Sequence, residues 1–192
     1  LCSRLKRILP KSVLIWDCRG YAPAEVDYQK NRRLIFFRKK ILLNRFKKAC
    51  SYADKVIVVS SLLKKYVNDN GNTNTFLFPS VASSKVFYFN SLIRQKIRNK
   101  LKIKQKSKVF IYSGSLKKYQ MFKETINFFK KLNKSYNDLY FIILTNDISE
   151  AQKMVSGNLN ILTYSVNQDK VNEFLNASDY AIKIRKDDLT NN

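Results

Sequence analysis

Short apolar runs alternate along this chain with longer stretches in which apolar residues recur at helical spacing. The run 55–59, Lys-Val-Ile-Val-Val, is typical of a strand that is buried on both faces of a sheet. Between 121 and 133, Phe122, Ile126 and Phe129 recur every three or four residues, which predicts a helix with one apolar face. The whole pattern predicts strands at 12–16, 55–59, 75–78, 108–112, 139–144, 159–163 and 180–184, and helices at 28–52, 61–67, 92–101, 121–133, 149–155 and 168–176.

This alternation predicts an α/β fold of parallel sheets with helices on both faces, and right-handed crossovers make such sheets Rossmann-like. Ligands of open parallel sheets bind beyond the carboxyl ends of the strands. The residues that follow the predicted strands are small, polar or charged, as expected for any protein of this class. They are residues 17–20, 60–61, 79–80, 113–115, 145–147, 164–165 and 185–188.

The sharpest local feature is the stretch Tyr-Ser-Gly-Ser-Leu-Lys-Lys at 112–118, where a strand passes into small residues and then into two lysines. Glycine lets the backbone approach a ligand closely, and backbone N–H groups at a helix start can hold a phosphate. Lys117 and Lys118 can add positive charge. The glycine spacing fits neither a P-loop nor a dinucleotide-binding fingerprint. A tight turn followed by solvated lysines is the alternative interpretation.

A second group of charges lies at the end of the first predicted strand, where Asp17, Arg19 and Gly20 are followed by Glu25. Arg19 can bind an anion or orient a carboxylate, and Asp17 or Glu25 can act as a base or accept from a hydroxyl group. An ion pair that holds the loop is the alternative. Cys18 is expected to be a small buried residue, because no histidine is present to activate it.

The chain has 192 residues, 37 Lys and Arg against 14 Asp and Glu, and therefore a net charge of +23. Nucleic acid, an anionic membrane and a phosphorylated substrate can all attract such a charge. The charge is spread over both halves of the chain, and Lys, Asn, Ile, Phe and Tyr are plentiful. That distribution favours a compositional bias over a dedicated nucleic-acid face. Histidine is absent, which removes a common general base and a common metal ligand.

The sequence also bears on the cellular compartment in which the chain functions. The three cysteines have no metal-ligand spacing and suggest no disulfide framework, which favours a reducing compartment. No apolar run approaches the roughly 18 residues of a membrane span, and no signal peptide is visible. We therefore expect a cytoplasmic location. The chain begins with Leu1 and ends in polar residues directly after an apolar run, so we expect a piece of a longer chain.

The predicted helix 28–52 carries many lysines and arginines. A helix that binds a membrane surface should separate its basic and apolar faces. Ile35, Leu42, Phe46 and Ala49 form one apolar stripe, whereas Phe36 and Leu43 are expected to point away from it. We therefore interpret it as a core helix with solvated cations. Peripheral contact with the inner face of the membrane is the open alternative.

Taken in order, these segments resemble a GT-B glycosyltransferase of the family 4, or group 1, type. No single stretch is specific, and their order and spacing carry the resemblance. The matching stretches are Asp17-Cys18-Arg19-Gly20 with Glu25, residues 53–60, residues 78–87 with 94–101, residues 110–116 with Tyr119-Gln120, and residues 171–180.

The resemblance implies two Rossmann-like domains, both incomplete in this chain: the end of the acceptor-side domain at 1–80 and the start of the donor-binding domain at 81–192. It implies transfer of a hexose from a nucleotide-sugar donor to a glycan or lipid-linked acceptor in cell-surface polysaccharide synthesis, with retention. No cofactor and no bound metal are implied. A fragment of this extent is expected to be inactive alone.

The resemblance also implies site residues. The donor diphosphate would be held by Ser113, Gly114, Ser115, Lys117, Lys118 and Arg185, and the acceptor-side candidates are Asp17, Arg19 and Glu25. The common Gly-Arg-Leu…Lys-Gly donor loop is absent, and Ser115 stands where its arginine would be. The two lysines and Arg185 are the available replacements. The Glu-x7-Glu donor motif would lie beyond Asn192, so catalytic residues stay unknown.

Two other functions remain as alternatives. A basic α/β protein that binds nucleic acid is the first, because of the net charge, although we expect no nucleic-acid partner. A different nucleotide-dependent enzyme with this fold, such as a sugar epimerase, is the second. The absence of Gly-x-Gly-x-x-Gly disfavours it.

Overall fold

The computed structural model describes residues 6–26 and 34–185, which form two compact units that divide between Val81 and Ala82. The predicted alternation of strands and helices is confirmed in both. Within the described residues, the first unit has a parallel sheet of the order β1-β2-β3. Its elements are β1 (Ile15–Cys18), α1 (Ala22–Glu25), α2 (Ile35–Tyr52), β2 (Lys55–Val58), α3 (Ser61–Asp69) and β3 (Thr75–Leu77).

The core of the first unit lies where α2 and α3 pack on the sheet. Val56 and Val58 of the central strand are fully buried, and the ring of Phe46 from α2 meets Trp16 and Tyr21 edge-on, at centroid distances of 5.2 and 5.1 Å. Burying apolar strand and helix faces against each other is the main stabilising contribution here. The other buried members of this core are Cys18, Cys50, Ala53, Leu63 and Val67.

The first strand begins later than predicted. Ser12 belongs to a turn in which its hydroxyl donates to the carbonyl of Leu9, and pairing with β2 starts only at Ile15. The prediction of strand 12–16 was therefore wrong at both ends. Asp17 and Cys18 belong to the strand, where alternation turns Cys18 into the core and leaves Asp17 exposed.

Helix α2 has one packed side. Phe46 and Cys50 are buried, and Ile35, Leu42 and Ala49 of the predicted stripe are partly buried. The prediction for Leu43 was wrong, because this side chain packs against the same core, so the apolar side is broader than the predicted stripe. Phe36 is exposed, as expected. The predicted start of this helix, from 28 to 33, lies outside the described residues.

The second unit has a parallel sheet of the order β6-β5-β4-β7 within the described residues. The chain moves outward from β4 to β6 and then returns to the other side of β4, which is the crossover pattern of a doubly wound sheet. Its elements are α4 (Ser91–Lys100), β4 (Lys108–Ser113), α5 (Phe122–Ser135), β5 (Leu139–Leu144), α6 (Ile148–Val155), β6 (Ile161–Tyr164), α7 (Val171–Ala177) and β7 (Tyr180–Ala181), with 3₁₀ turns at Lys118–Gln120 and Gln168–Lys170.

Each face of this sheet has its own apolar core. Phe141 and Ile143 of β5 face the side covered by α5 and α6, whereas Ile142 and Leu144 face the side covered by α4 and α7. All four side chains are nearly or fully buried. Strands buried on both faces read as continuous apolar runs, which explains why the range 139–144 is predicted correctly to the residue.

The strands β6 and β7 begin or end at other residues than the predicted ranges 159–163 and 180–184. Leu159 is 94% exposed and precedes β6, because backbone bonds between 155 and 161 form a turn there. The last strand, predicted at 180–184, pairs with β4 only at Tyr180 and Ala181, although the N–H of Ile182 still donates to the carbonyl of Ile111.

A buried arginine ties α4 to the loops around β4 and β7. The side chain of Arg98 is fully buried and donates to the carbonyls of Ala177, Gln105 and Ser107 at 2.9, 2.8 and 3.0 Å. Its Nη2 donates to Oδ2 of Asp179 at 2.8 Å. The sequence pattern gave no sign of this network, because a lone arginine on a helix is usually solvated.

Candidate functional site

A cavity of about 550 Å³ opens at the carboxyl ends of three neighbouring strands of the second unit. This volume is within the range of small-molecule sites in proteins. The lining mixes apolar side chains with polar side chains of the turns that follow the strands. The residues that line it are Ser113, Gly114, Ser115, Lys117, Leu144, Thr145, Asn146, Asp147, Val166, Gln168 and Val171.

The turn that follows β4 is held in place by its neighbours. The hydroxyl of Tyr112 donates to the carbonyl of Ser115 at 2.6 Å, and the N–H of Gly114 donates to the carbonyl of Leu144 at 3.0 Å. The N–H of Leu116 donates to Oδ2 of Asp147 at 3.0 Å. Because both ends of the turn are bonded to fixed elements, its shape is set before any ligand binds.

Gly114 lies close to the side chain of Tyr112. A Cβ at this position would lie 3.2 Å from the Tyr112 hydroxyl oxygen, which is closer than side-chain carbons normally come to other atoms. A larger residue would displace the hydroxyl that holds the Ser115 carbonyl. The glycine therefore keeps the turn compact and its backbone accessible to the cavity.

Several polar groups on the turn face the cavity with their bonding capacity unused within the described residues. The hydroxyl groups of Ser113 and Ser115 and the ammonium of Lys117 make no hydrogen bond there. Hydroxyl and ammonium groups donate hydrogen bonds to anionic oxygens. The turn thus presents one cation and two neutral donors to a ligand in the cavity.

Lys118 and Arg185 take different positions. Lys118 begins the 3₁₀ turn after the loop and is not part of the cavity lining. Arg185 follows β7, and its positive charge acts on Tyr112 and Lys183. Burial raises the pKa of Tyr112 to about 12, and the nearby Arg185 opposes that rise. The structure therefore brings Arg185 close to the residue that holds the turn.

Seven lining residues were not among the predicted site residues, namely Leu144, Thr145, Asn146, Asp147, Val166, Gln168 and Val171. Asn146 and Asp147 follow β5, and their position after a strand was the signal that could have assigned them. Val166 and Gln168 lie between β6 and α7, where no motif marks them. Oδ2 of Asp147 accepts from the Leu116 N–H, and the backbone N–H of Asp147 donates to the Thr145 hydroxyl at 3.2 Å.

The acceptor-side candidates all lie in the first unit. Nε of Arg19 donates to both carboxylate oxygens of Asp17 at 2.8 Å, and both side chains are more than half exposed. Glu25 lies next to Gly20, since a Cβ added at Gly20 would be 3.1 Å from Oε1 of Glu25. Asp17 and Arg19 are therefore brought together as an ion pair, which is the arrangement that the alternative interpretation of this loop expects.

Two cysteines of the first unit, Cys18 and Cys50, lie away from solvent. Cys18 and Cys50 are 2% and 1% exposed, and burial raises the pKa of each thiol to about 11. The expectation that Cys18 is a small buried residue is confirmed. Within the residues that the structure describes, no group of His, Cys, Asp and Glu is arranged to hold a metal ion.

No helix in the described ranges is both long and apolar enough to span a membrane. Comparison of the sequence with models of known protein families gives no match, and comparison with curated proteins gives none either.

Solved structures do resemble this chain. The crystal structure of Anabaena Alr3699/HepE in complex with UDP and glucose matches with a TM-score of 0.67 and 11% identity, covering 95% of this chain and 49% of that one. WaaG, a glycosyltransferase involved in lipopolysaccharide biosynthesis, matches with a TM-score of 0.67, 13% identity and coverage of 95% and 55%. A glycosyltransferase from Rickettsia africae ESF-5 matches with a TM-score of 0.58, 14% identity and coverage of 96% and 54%.

These similarities establish the fold. The two parallel sheets match part of the two Rossmann-like domains of GT-B glycosyltransferases, as the sequence resemblance implied. The chain spans about half the length of the solved structures that it matches.

Proposed function

We propose that this chain carries the donor-binding part of a glycosyltransferase, and that the cavity beyond β4, β5 and β6 holds the nucleoside diphosphate of a nucleotide-sugar. The observation that carries the proposal is the cavity itself, with Lys117 and the Ser113–Ser115 hydroxyls on one wall. The HepE structures with UDP and with UDP-glucose, which share this fold, support the choice of ligand class.

The turn after β4 is suited to a diphosphate. Lys117 supplies charge, the two serine hydroxyls supply neutral donors, and Gly114 leaves room for the ligand to approach the backbone. Arg185 adds a second positive charge near Tyr112. Asp147 is negative, so we assign it to the part of the ligand that carries hydroxyl groups, because a carboxylate accepts from hydroxyls and repels phosphate.

Sugar transfer leaves a nucleoside diphosphate, whose charge grows as the bond to the sugar breaks. Fixed positive groups stabilise that developing charge, and such preorganised electrostatics are usually the largest contribution to catalysis. We propose that Lys117 and Arg185 have this role. The resemblance implies that they act without a bound metal and that the configuration of a transferred hexose is retained.

The acceptor follows from the resemblance and from the first unit. We propose a glycan or lipid-linked acceptor in polysaccharide synthesis. Asp17 and Arg19 are paired with each other, so we propose that they fix the loop after β1 and that Glu25, beneath Gly20, is the remaining acceptor-side carboxylate.

Calorimetry of the 192-residue chain with UDP, GDP and ADP tests the donor proposal. We expect binding of at least one diphosphate, and an affinity about tenfold weaker in Lys117→Ala, because a charge-assisted hydrogen bond at a partly solvated site is lost. Lys106→Ala is the matched control, since Lys106 is an exposed lysine before the amino end of β4.

The same series includes Lys118→Ala and Arg185→Ala. A weaker affinity in Arg185→Ala supports its assignment to the diphosphate, and the two lysine variants decide which of Lys117 and Lys118 contacts it. If no diphosphate binds, or if all three variants and the Lys106→Ala control bind alike, the donor proposal is wrong.

A further inference from the structure

The second unit has another cavity, of about 270 Å³, between the segment that precedes α4 and helix α7. This volume is near the lower end of small-molecule sites, which fits a single ring better than a whole nucleotide-sugar. We call it the aromatic cavity, because three consecutive aromatic residues form one side of it. Its lining residues are Phe87, Tyr88, Phe89, Asn172, Leu175 and Asn176.

The aromatic side chains of this cavity are open to solvent. Phe89 is 74% exposed and Tyr88 is 50% exposed, and neither belongs to the two apolar cores of the second unit. Single exposed apolar residues need no explanation, but adjacent aromatic rings beside a cavity form a patch that indicates binding.

The backbone that carries the rings is held against α7. The side-chain amides of Asn172 and Asn176 both donate to the carbonyl of Tyr88, at 3.2 and 2.9 Å. The side-chain oxygen of Asn176 accepts from the backbone N–H of Asn90, whose own side chain caps the start of α4. The rings are therefore presented from a fixed backbone, so less conformational entropy is lost when a ligand binds.

Asn172 offers an unused acceptor to the cavity. The residue is 8% exposed, and its amide nitrogen donates to the Tyr88 carbonyl. Its Oδ1 accepts no hydrogen bond from any residue that the structure describes, although Asn172 lines the cavity. Buried polar groups are normally hydrogen-bonded, so this acceptor indicates a donor that comes from a ligand. Hydroxyl groups are such donors.

The aromatic cavity is also electrically neutral. None of the six residues that line it in the described part of the chain carries a charge, although the chain has a net charge of +23. Phosphate and carboxylate groups bind where cations are presented to them. A neutral ligand with an apolar face and hydroxyl groups at its edge therefore fits this cavity best.

We infer that the aromatic cavity binds a sugar ring of a neutral glycan, at a site separate from the donor cavity. The C–H groups on one face of a pyranose pack on an aromatic ring, here Phe89, and hydroxyl groups at the edge of the sugar donate to Oδ1 of Asn172. The two cavities share no lining residue, although residues of α7 line both.

The choice of a glycan rests in part on the proposed function, in which a glycan is an acceptor. Other occupants fit less well. The bases of a nucleic acid could stack on the rings, but its phosphates need cations, which the lining does not provide. A second copy of the chain carries the same net charge, and like charges repel.

Saturation-transfer difference NMR of the 192-residue chain tests the inference with maltohexaose, cellohexaose and chitohexaose, which are neutral glycans. We expect at least one of them to bind at millimolar concentration, because one stacked ring and a few hydrogen bonds give a weak affinity. Binding should be the same with and without UDP, because the donor cavity is not involved.

The contribution of the ring is tested with Phe89→Ala, for which we expect about fivefold weaker binding of the glycan. The matched control is Phe128→Ala, which removes another exposed aromatic ring, on α5, where the helix packs on the opposite face of the sheet from α7. We expect the control to bind as the unmodified chain does.

The contribution of the acceptor is tested with Asn172→Ala, for which we expect about fivefold weaker binding as well. The Tyr88 carbonyl keeps its bond from Asn176 in this variant, so the backbone of the rings stays in place. Circular dichroism checks the helix content of each variant. If Asn172→Ala loses helix content, the comparison of Phe89→Ala with its control decides alone.

The inference is overturned if none of the three glycans binds, or if Phe89→Ala and Phe128→Ala bind them equally well. It is also overturned if an oligothymidylate binds through Phe89 and no glycan does, or if Phe89→Ala acts only by dissociating a dimer in light scattering. UDP calorimetry of Phe89→Ala separates the two proposals, since a failure of glycan binding with UDP binding intact removes this inference and leaves the donor proposal standing.

Discussion

The buried ion pair between Arg98 and Asp179 offers the strongest test of what stabilises the second unit. The change is Asp179→Asn, which keeps the shape of the side chain and removes its charge. Arg98 stays fully buried and positively charged, since its guanidinium does not lose its proton in proteins. In the unmodified chain Asp179 also accepts from the N–H of Val109 at 2.8 Å and from Nη2 of Arg94 at 2.6 Å.

The size of the effect follows from these contacts. Removing one partner of a buried ion pair costs about 3–5 kcal/mol, because the other charge remains in a poorly solvated place. The Asp179 side chain is 19% exposed, and four backbone carbonyl groups still accept from Arg98. We therefore expect the lower end, about 3 kcal/mol of unfolding free energy.

The effect should depend on pH. Burial raises the pKa of Asp179, but the Val109 N–H, the hydrogen bond from Arg94 and the charges of Arg98 and Arg94 lower it more, so the net shift is below the ordinary value of 3.8. A lowered pKa adds stability that is fully present above the ordinary value and is lost as pH falls through the folded value. The difference between the two proteins should be constant down to about pH 4 and shrink below it.

Hydrogen exchange read by mass spectrometry over β4 measures this locally, because the Val109 amide is a direct partner of Asp179. The matched control is Asp138→Asn, where the carboxylate is 50% exposed and lies 3.7 Å from Nζ of Lys104. We expect a change below about 0.5 kcal/mol there. Equal protection of β4 in both variants would refute the reasoning.

Three further predictions follow from other contacts. Asn72→Ala should lower the unfolding free energy of the first unit by about 2 kcal/mol, because the buried Asn72 amide donates hydrogen bonds to the carbonyls of Cys50 and Ala53. Urea unfolding followed by tryptophan fluorescence measures this, and an unchanged unfolding free energy would contradict it. Gly114→Ala should weaken diphosphate binding in calorimetry by displacing Tyr112, and unaltered affinity would show that the turn tolerates a Cβ. Cys18 and Cys50 should resist Ellman's reagent at neutral pH until urea unfolds the chain, because their pKa of about 11 keeps them protonated; rapid labelling of either would contradict their burial.

Much of the fold could be predicted because its strands are buried on both faces. The continuous apolar run at 139–144 was enough to predict that strand, and the regular apolar spacing was enough to predict the helix at Phe122–Ser135. Elements at the edges were harder. The first strand was misplaced because Val13 and Leu14 continue its apolar run toward the N-terminus, whereas Ser12 lies in a turn and the paired strand begins only at Ile15.

The candidate site was predictable only in part. The rule that ligands bind beyond parallel strands led to Ser113, Gly114 and Ser115, which do line the cavity. It could not assign Gln168, which comes from a 3₁₀ turn with no local signal. Nor could it separate Lys117, on the cavity wall, from Lys118, one residue later, because that difference depends on the path of the turn.

The Arg98–Asp179 pair shows a further limit. Its two residues are 81 positions apart in the chain, and they meet only because α4 packs beside the residues that precede β7. Spacing along the sequence does not indicate which distant elements meet.

The central claim is that a nucleoside diphosphate binds in the cavity beyond β4, β5 and β6. The most direct measurement is an NMR titration of the ¹⁵N-labelled chain with UDP, following the backbone amides. We expect the largest shifts at Gly114, Leu116, Asn146 and Asp147, and little change in the first unit. Shifts that are absent at millimolar UDP, or that cluster away from these residues, would contradict the claim.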